Sequence, residues 1–178
     1  MTSRAACSLR DARVGERYTA PFVKRTKAQL KAELVAILET TLAGLERAHA
    51  DARAGATHEE AKPENDKDTR ALEQSYLARG QAMRIETLKA GLASLSVMAL
   101  TPTDSAKPGA VVEGEDEDGE TLVYFVAPEG GGTKLHGGVL VVTPASPVGA
   151  ALIGKRTGDE VELRVGGKVR LLTILRVS

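Results

Sequence analysis

Residues Ser146–Leu163 read SPVGAALIGKRTGDEVEL, and this stretch sets the character of the C-terminal half. A serine oxygen accepts hydrogen bonds from the free N–H groups of a first helical turn, so Ser146 suits a helix cap. Pro147 suits the first helical position, where a missing N–H costs nothing. Gly154 suits the stop. The helix is therefore short. Glu160–Val165 then reads as a strand, and VGGK (Val165–Lys168) is a Gly-Gly hairpin signal leading into a second strand, Lys168–Val177.

Working outward, three more strands are expected at Ala110–Glu113, Thr121–Ala127 and Gly138–Thr143. EDEDG (Glu115–Gly119) reads as a solvated polar turn. It lacks the calcium-loop spacing, which needs Gly at the sixth position and Glu at the twelfth. APEGGGTKLHGG (Ala127–Gly138) has no Gly-Lys-Ser/Thr ending and no following helix, so it reads as a long flexible hairpin loop and not a phosphate-binding loop. His136 within it is expected in solvent. The sum is a small antiparallel sheet carrying one short helix.

Composition changes sharply near residue 101. The chain before it is rich in Ala, Leu, Lys, Arg and Glu, and two long windows carry helical periodicity. The first runs from about Phe22 to Ala52, with Leu30, Leu34, Ile37, Thr41, Leu45, Ala48 and Ala52 as its stripe and Gly55 as its stop. The second runs from about Pro63 to Leu100, with Leu77, Ile85, Leu88, Leu92 and Leu95 as its stripe. Each has one apolar face, and a short connection makes the two antiparallel neighbours. The expected fold class is thus α+β, an N-terminal antiparallel helical hairpin (a coiled coil) followed by a small β domain. The expected divisions are an extension at 1–21, disordered or loosely helical and holding Cys7, then the hairpin at 22–100. A linker TPTDSAKPG at 101–109 and the sheet domain at 110–178 follow.

Several function classes are disfavoured. With 24 basic and 24 acidic residues, the 178-residue chain has a formal charge of zero, and it holds no basic block for DNA or an anionic membrane. A single cysteine excludes an intramolecular disulfide and CxxC zinc sites. No apolar run approaches the roughly 18 residues of a membrane span. Residues 1–21 carry arginines without a following apolar stretch, so no secretory signal is expected. These features fit a cytoplasmic protein.

Between the helical windows lies THEEAKPENDKD (Thr57–Asp68), which crowds five carboxylates into the turn. Two readings compete. Thr57-x-x-Glu60 has capping-box spacing, and Glu64, Asp66 and Asp68 fall where a helix dipole favours negative charge. Alternatively, the carboxylates serve a hard divalent cation, which takes oxygen ligands. His58 alone is no zinc site.

The signature in Ser146–Leu163 resembles the bacterial Gre transcript-cleavage factors. In that family a Ser-Pro, a small-residue helix ending Ala-Leu-Ile-Gly-Lys, and Gly-Asp-x-Val-Glu occur in order. Ser146, Pro147, Ala151, Leu152, Ile153, Gly154, Lys155, Gly158, Asp159, Val161 and Glu162 match. The resemblance covers about residues 22–177 and implies an FKBP-like C-terminal domain. Prolyl isomerase activity is not expected, because only Tyr124 and Phe125 are aromatic in this half. The resemblance further implies that RNA polymerase is the partner and that the coiled coil enters its secondary channel. Tip carboxylates would help hold a second Mg²⁺ there, and the polymerase would cut backtracked RNA. The factor has no cofactor of its own, meets the RNA 3′ end only indirectly, and is an accessory factor, not an enzyme. Glu60 and Glu64 are then the metal-proximal candidates, Glu59 and Asp66 the reserves, and Ser146 and Pro147 the contacts at the channel rim. A monomer is expected.

The tip departs from the family pattern Gly-Asp-x-Ser-Glu-Asn. Glu64-Asn65 matches its end, but the residue three before Glu64 is Ala61, which marks a divergent branch. Three functions stay open: a cleavage-stimulating factor, a channel-occupying regulator that inhibits or retunes transcription without cleavage, and a coiled-coil binding module unrelated to polymerase.

Overall fold

The computed structural model describes residues 25–56, 69–165 and 167–178. The element order is α1 (Lys27–Ala56), α2 (Thr69–Val97), β1 (Val111–Asp116), β2 (Thr121–Val126), β3 (Lys134–Leu135), β4 (Val139–Val142), α3 (Pro147–Leu152), β5 (Glu160–Val165) and β6 (Lys168–Val177). The fold is α+β, with two compact units. One is Lys31–Val97; the other is Met98–Ser178 with the start of α1 up to Leu30.

Helix α1 begins later than its periodicity predicts. Thr26 Oγ1 accepts from Gln29 N at 3.3 Å, and Gln29 Oε1 accepts from Thr26 N at 3.0 Å. This reciprocal capping box fixes the start at Lys27. The helix then runs through Gly55 to Ala56, 30 residues or about 45 Å. A lone glycine lowers helix stability without ending the helix.

The α1 stripe also differs from the expected one. Leu30, Leu34 and Leu38 are buried, and Leu42, Leu45 and His49 are half-buried, whereas Thr41, Ala48 and Ala52 are exposed. The larger aliphatic side chains Leu38 and Leu42 win the inner face because burying them removes more apolar area from water. On α2, Ile85 and Leu95 are buried and Leu88 and Leu92 half-buried, but Leu77 is 68% exposed. Ala78, Gln81 and Ala82 continue the inner face instead, keeping the spacing set by Ile85 and Leu88.

The helices run antiparallel. Lys31 Nζ, early in α1, donates to the Ser96 carbonyl, late in α2, at 2.9 Å. Farther along, Glu46 pairs with Lys89 at 3.0 Å. The first contact places an ammonium on a free carbonyl at the C-terminal end of α2, where cations are favoured.

The sheet has six strands in the order β3-β4-β2-β1-β6-β5. Every pairing is antiparallel except β2–β4, which is parallel. The expected antiparallel sheet is therefore mixed. The glycine-rich stretch 127–138 is no hairpin loop, because it carries a crossover between parallel strands. It is also tied down. Gly132 N donates to Val141 O and Val141 N to Thr133 O, each at 2.8 Å, and β3 pairs with β4 inside it. Gly137 and Gly138, at φ 84° and 78°, make the turn between β3 and β4 in a region side chains disfavour.

The core on one face joins Val112, Tyr124, Val126, Val142, Val161, Leu163, Leu172 and Ile174 to Leu152 of α3. Alternate residues Val111, Val123 and Phe125 are buried too, with the carboxylate of Glu113 buried beside Val123, so the sheet is covered on both faces. Residues 101–109, read as a linker, are stitched to this unit. Ala106 N donates to Lys155 O, Gly154 N to Ala106 O, and Gly109 N to Val126 O, each at 2.8 Å.

The EDEDG turn is not simply solvated. Asp116 is 7% exposed. Its Oδ1 accepts from Asp118 N at 3.1 Å and Glu120 N at 2.9 Å, while Oδ2 meets Arg170 at 3.2 Å. The carboxylate closes the β1–β2 turn from beneath, a pairing across 54 residues of sequence.

Candidate functional site

Two regions carry the site expectations. The carboxylates Glu59, Glu60, Glu64 and Asp66, with His58 and Asp68, lie in 57–68, outside the described residues. The Ser146–Leu163 signature is described in full.

Ser146 caps α3 as its residue type predicts. Its Oγ accepts from Gly149 N at 3.1 Å and donates to the Thr143 carbonyl at 2.7 Å. The hydroxyl is thus committed on both sides to holding the loop. Gly149 packs against that loop: a Cβ there would sit 2.7 Å from the Thr143 carbonyl carbon and 3.0 Å from Ser146 Oγ. The signature's small residue is demanded by backbone proximity, not by flexibility.

This packing aims one face of α3 outward. Pro147 and Ala150 are exposed, and Ile153 is 38% exposed, at spacing i, i+3 and i+6. Beyond it, Arg156 N donates to Asp159 Oδ2 at 2.8 Å, which closes the Arg156–Asp159 turn. Asp159 is therefore a turn residue. Arg156 also approaches Asp104 at 3.9 Å, with both side chains largely exposed. The sequence reading named Ser146 and Pro147 but overlooked Ala150 and Ile153; their spacing on a capped helix was the available signal.

In the hairpin, a groove of about 360 Å³ lies between the helices, lined by Glu46, His49 and Arg53 of α1 and Ala82, Ile85, Glu86 and Lys89 of α2. Hydrogen bonding to Glu46 raises the Lys89 pKa above the ordinary ammonium value. His49 Nδ1 and Gln81 Oε1 are buried without a hydrogen-bond partner. In the sheet unit, desolvation lowers the Lys27 pKa, with Lys107 adding to the effect; Lys27 Nζ donates to the Thr101 carbonyl at 2.9 Å. Among the described residues, no group of three or more His, Cys, Asp or Glu is placed to hold a metal ion. Nor is any helix there long and apolar enough to cross a membrane.

Residues 101–178 match the family described as "Transcription elongation factor, GreA/GreB, C-term". The protein named Transcription elongation factor GreA of Methylococcus capsulatus is 30% identical over 158 residues, covering 88% of this chain and 96% of that protein. This chain belongs to the GreA/GreB family. The GreA of Rhodospirillum rubrum agrees, at 28% identity over 157 residues, covering 88% of this chain and 96% of its own length. Identities near 30% make the present chain a divergent GreA/GreB member. A crystal structure of GreA factor homolog 1 (Gfh1) from Thermus thermophilus is 25% identical, with TM-score 0.38, over 81% of this chain and 94% of that one. A TM-score that low adds nothing to the assignment, which rests on the sequence relatives.

Proposed function

We propose that this GreA/GreB-family chain binds RNA polymerase, inserts its helical hairpin into the secondary channel and stimulates cleavage of backtracked RNA. The observation that carries this reading is the near-full-length match to proteins named transcription elongation factor GreA, which spans the hairpin as well as the sheet unit. The factor acts in the cytoplasm, on no membrane, and meets the nascent RNA 3′ end only through the polymerase. It is an accessory factor, and bond cleavage belongs to the polymerase centre.

Glu60 and Glu64 lend oxygens to a Mg²⁺ shared with that centre, with Glu59 and Asp66 as reserves. One or two carboxylates make a weak site that fills only when polymerase and RNA supply the remaining ligands. At the rim, Ser146 acts by shaping the loop, since its hydroxyl is already bonded to Thr143 and Gly149. Contact falls to Pro147, Ala150 and Ile153.

The test is RNA 3′-end release from stalled, backtracked polymerase. Cleavage stimulated by the wild-type chain and lost in Glu60→Ala/Glu64→Ala is the expected result. Unchanged stimulation by that variant removes the tip chemistry. A second reading is favoured by Ala61, which stands where the family pattern has Asp. There the chain occupies the channel and slows nucleotide addition without releasing RNA.

A further inference from the structure

Helix α2 has a second stripe that its pairing with α1 leaves unused. Tyr76, Gly80, Met83, Thr87, Ala90, Ser94 and Val97 follow one another at steps of four and three, and all are exposed. Each lies two residues, about 200° around the helix, from an inner-face position. None is charged. The Thr87 and Ser94 hydroxyls donate to the Met83 and Ala90 carbonyls at 2.9 and 3.0 Å, which makes the stripe less polar still. Tyr76 is 66% exposed, Leu77 68% and Met83 64%, a concentration of large apolar surface on an outward helix face. A 3.5-residue repeat of uncharged side chains is the seam of a coiled coil, and among the described residues no element packs on it.

We infer that this face pairs with the same face of a second copy of the chain, antiparallel, with the two-fold axis between Gly80 and Met83. Size and charge select this arrangement. It sets Met83 over Gly80 of the second copy and Tyr76 over Thr87 of the second copy, so large meets small in each layer. No heavy atom outside its immediate surroundings lies within 4 Å of where a Gly80 Cβ would be, so a knob can enter there. Flanking the seam, Arg79 meets Glu86 of the second copy, and Glu86 meets its Arg79. Sliding the copies by one heptad toward the C-terminus sets Glu86 against Glu86 and Arg84 against Arg84. Sliding the other way sets Arg79 against Arg79. Parallel pairing sets Arg79 beside Arg84. Only the chosen register joins opposite charges.

The contact spans four layers, about 18 Å of helix, so it belongs with small, weak interfaces. The expectation of a monomer gives way to a concentration-dependent dimer. This inference stands apart from the proposed function.

Sedimentation velocity on the full chain, from about 5 to 500 µM in low salt where charge pairing is least screened, reads it directly. The expected result is a monomer–dimer shift across that range. Met83→Glu, Arg79→Glu and Glu86→Arg should each weaken association about fivefold or more, and Arg79→Glu/Glu86→Arg should restore it to within about twofold, as opposite charges meet again. All three positions are exposed, and unchanged helical circular dichroism confirms that the variants fold. A chain that stays monomeric throughout, or a double variant no tighter than its singles, overturns the inference.

Discussion

Gly149→Ala tests the reasoning about the α3 signature most sharply. The added methyl would enter the space of the Thr143 carbonyl, 2.7 Å from its carbon and 3.0 Å from Ser146 Oγ. These are backbone and capping atoms, not the loose end of a side chain, so α3 has to shift outward. Overpacking of this kind costs about 1–3 kcal/mol. The shift also pulls Gly149 N from Ser146 Oγ, and a lost cap costs about 1 kcal/mol. Together these effects give about 2–4 kcal/mol, against which alanine's higher helix propensity returns less than about 1 kcal/mol. Hydrogen exchange on the full chain reads the effect where it belongs: amides of Val161, Leu163 and Leu172, in the core that Leu152 of α3 helps build, should lose protection by the corresponding free energy. Amides of α1 around Leu34 should change little. A core loss below about 0.5 kcal/mol refutes the argument that backbone proximity demands the glycine, because surface-like substitutions fall in that range.

Other outcomes follow from the same structure. Ser146→Ala should destabilise the sheet unit by about 1 kcal/mol in urea unfolding, and Ser146→Asp should recover part of it, since both are caps of comparable strength. Asp116→Ala leaves two backbone donors of the β1–β2 turn without their acceptor and should cost about 1–3 kcal/mol, whereas Arg170→Ala, at a half-exposed partner, should cost less. Tyr124 has a pKa raised chiefly by burial, with Arg170 opposing and Asp116 and Glu120 reinforcing. Below the unfolded tyrosine value of about 10 its contribution is intact; above it the unfolded chain ionises while the folded chain holds the proton. Stability should therefore fall as pH rises through that window toward the folded value, and Tyr124→Phe should flatten this alkaline arm. Leu34→Ala, at a fully buried position in the hairpin, should cost about 2–5 kcal/mol by thermal circular dichroism.

Much of the hairpin was legible because period and charge are local signals. Helix α2 falls within its predicted window and α1 overruns its own only at the C-terminal end, through Gly55 to Ala56, while Leu30, Leu34, Ile85 and Leu95 are buried as expected. The misreadings concern choices between adjacent faces. Thr41 and Leu42 are neighbours in sequence, and only the partner helix decides which of them turns inward. Leu77 looked like a seam residue, yet its register places it outside, next to the stripe of Tyr76, Gly80 and Met83. At the α3 loop the cap, the first-turn proline and the following hairpin were all readable, because each depends on residues within a few positions. The exposed triplet of Pro147, Ala150 and Ile153 needed the direction in which α3 packs.

By itself, the sequence determined the order of the helices and of every strand except β3, the capped helix of the signature and the resemblance that led to the GreA/GreB family. These rest on propensities and spacings spanning a few residues, which act before distant parts of the chain meet. Tertiary structure alone decided the parallel pairing of β2 with β4 and the burial of Asp116 against Arg170. Each of these depends on where a remote strand or side chain arrives. A glycine-rich stretch can serve a hairpin or a crossover equally well, and an aspartate in an acidic run faces water until an arginine 54 residues away packs beneath it.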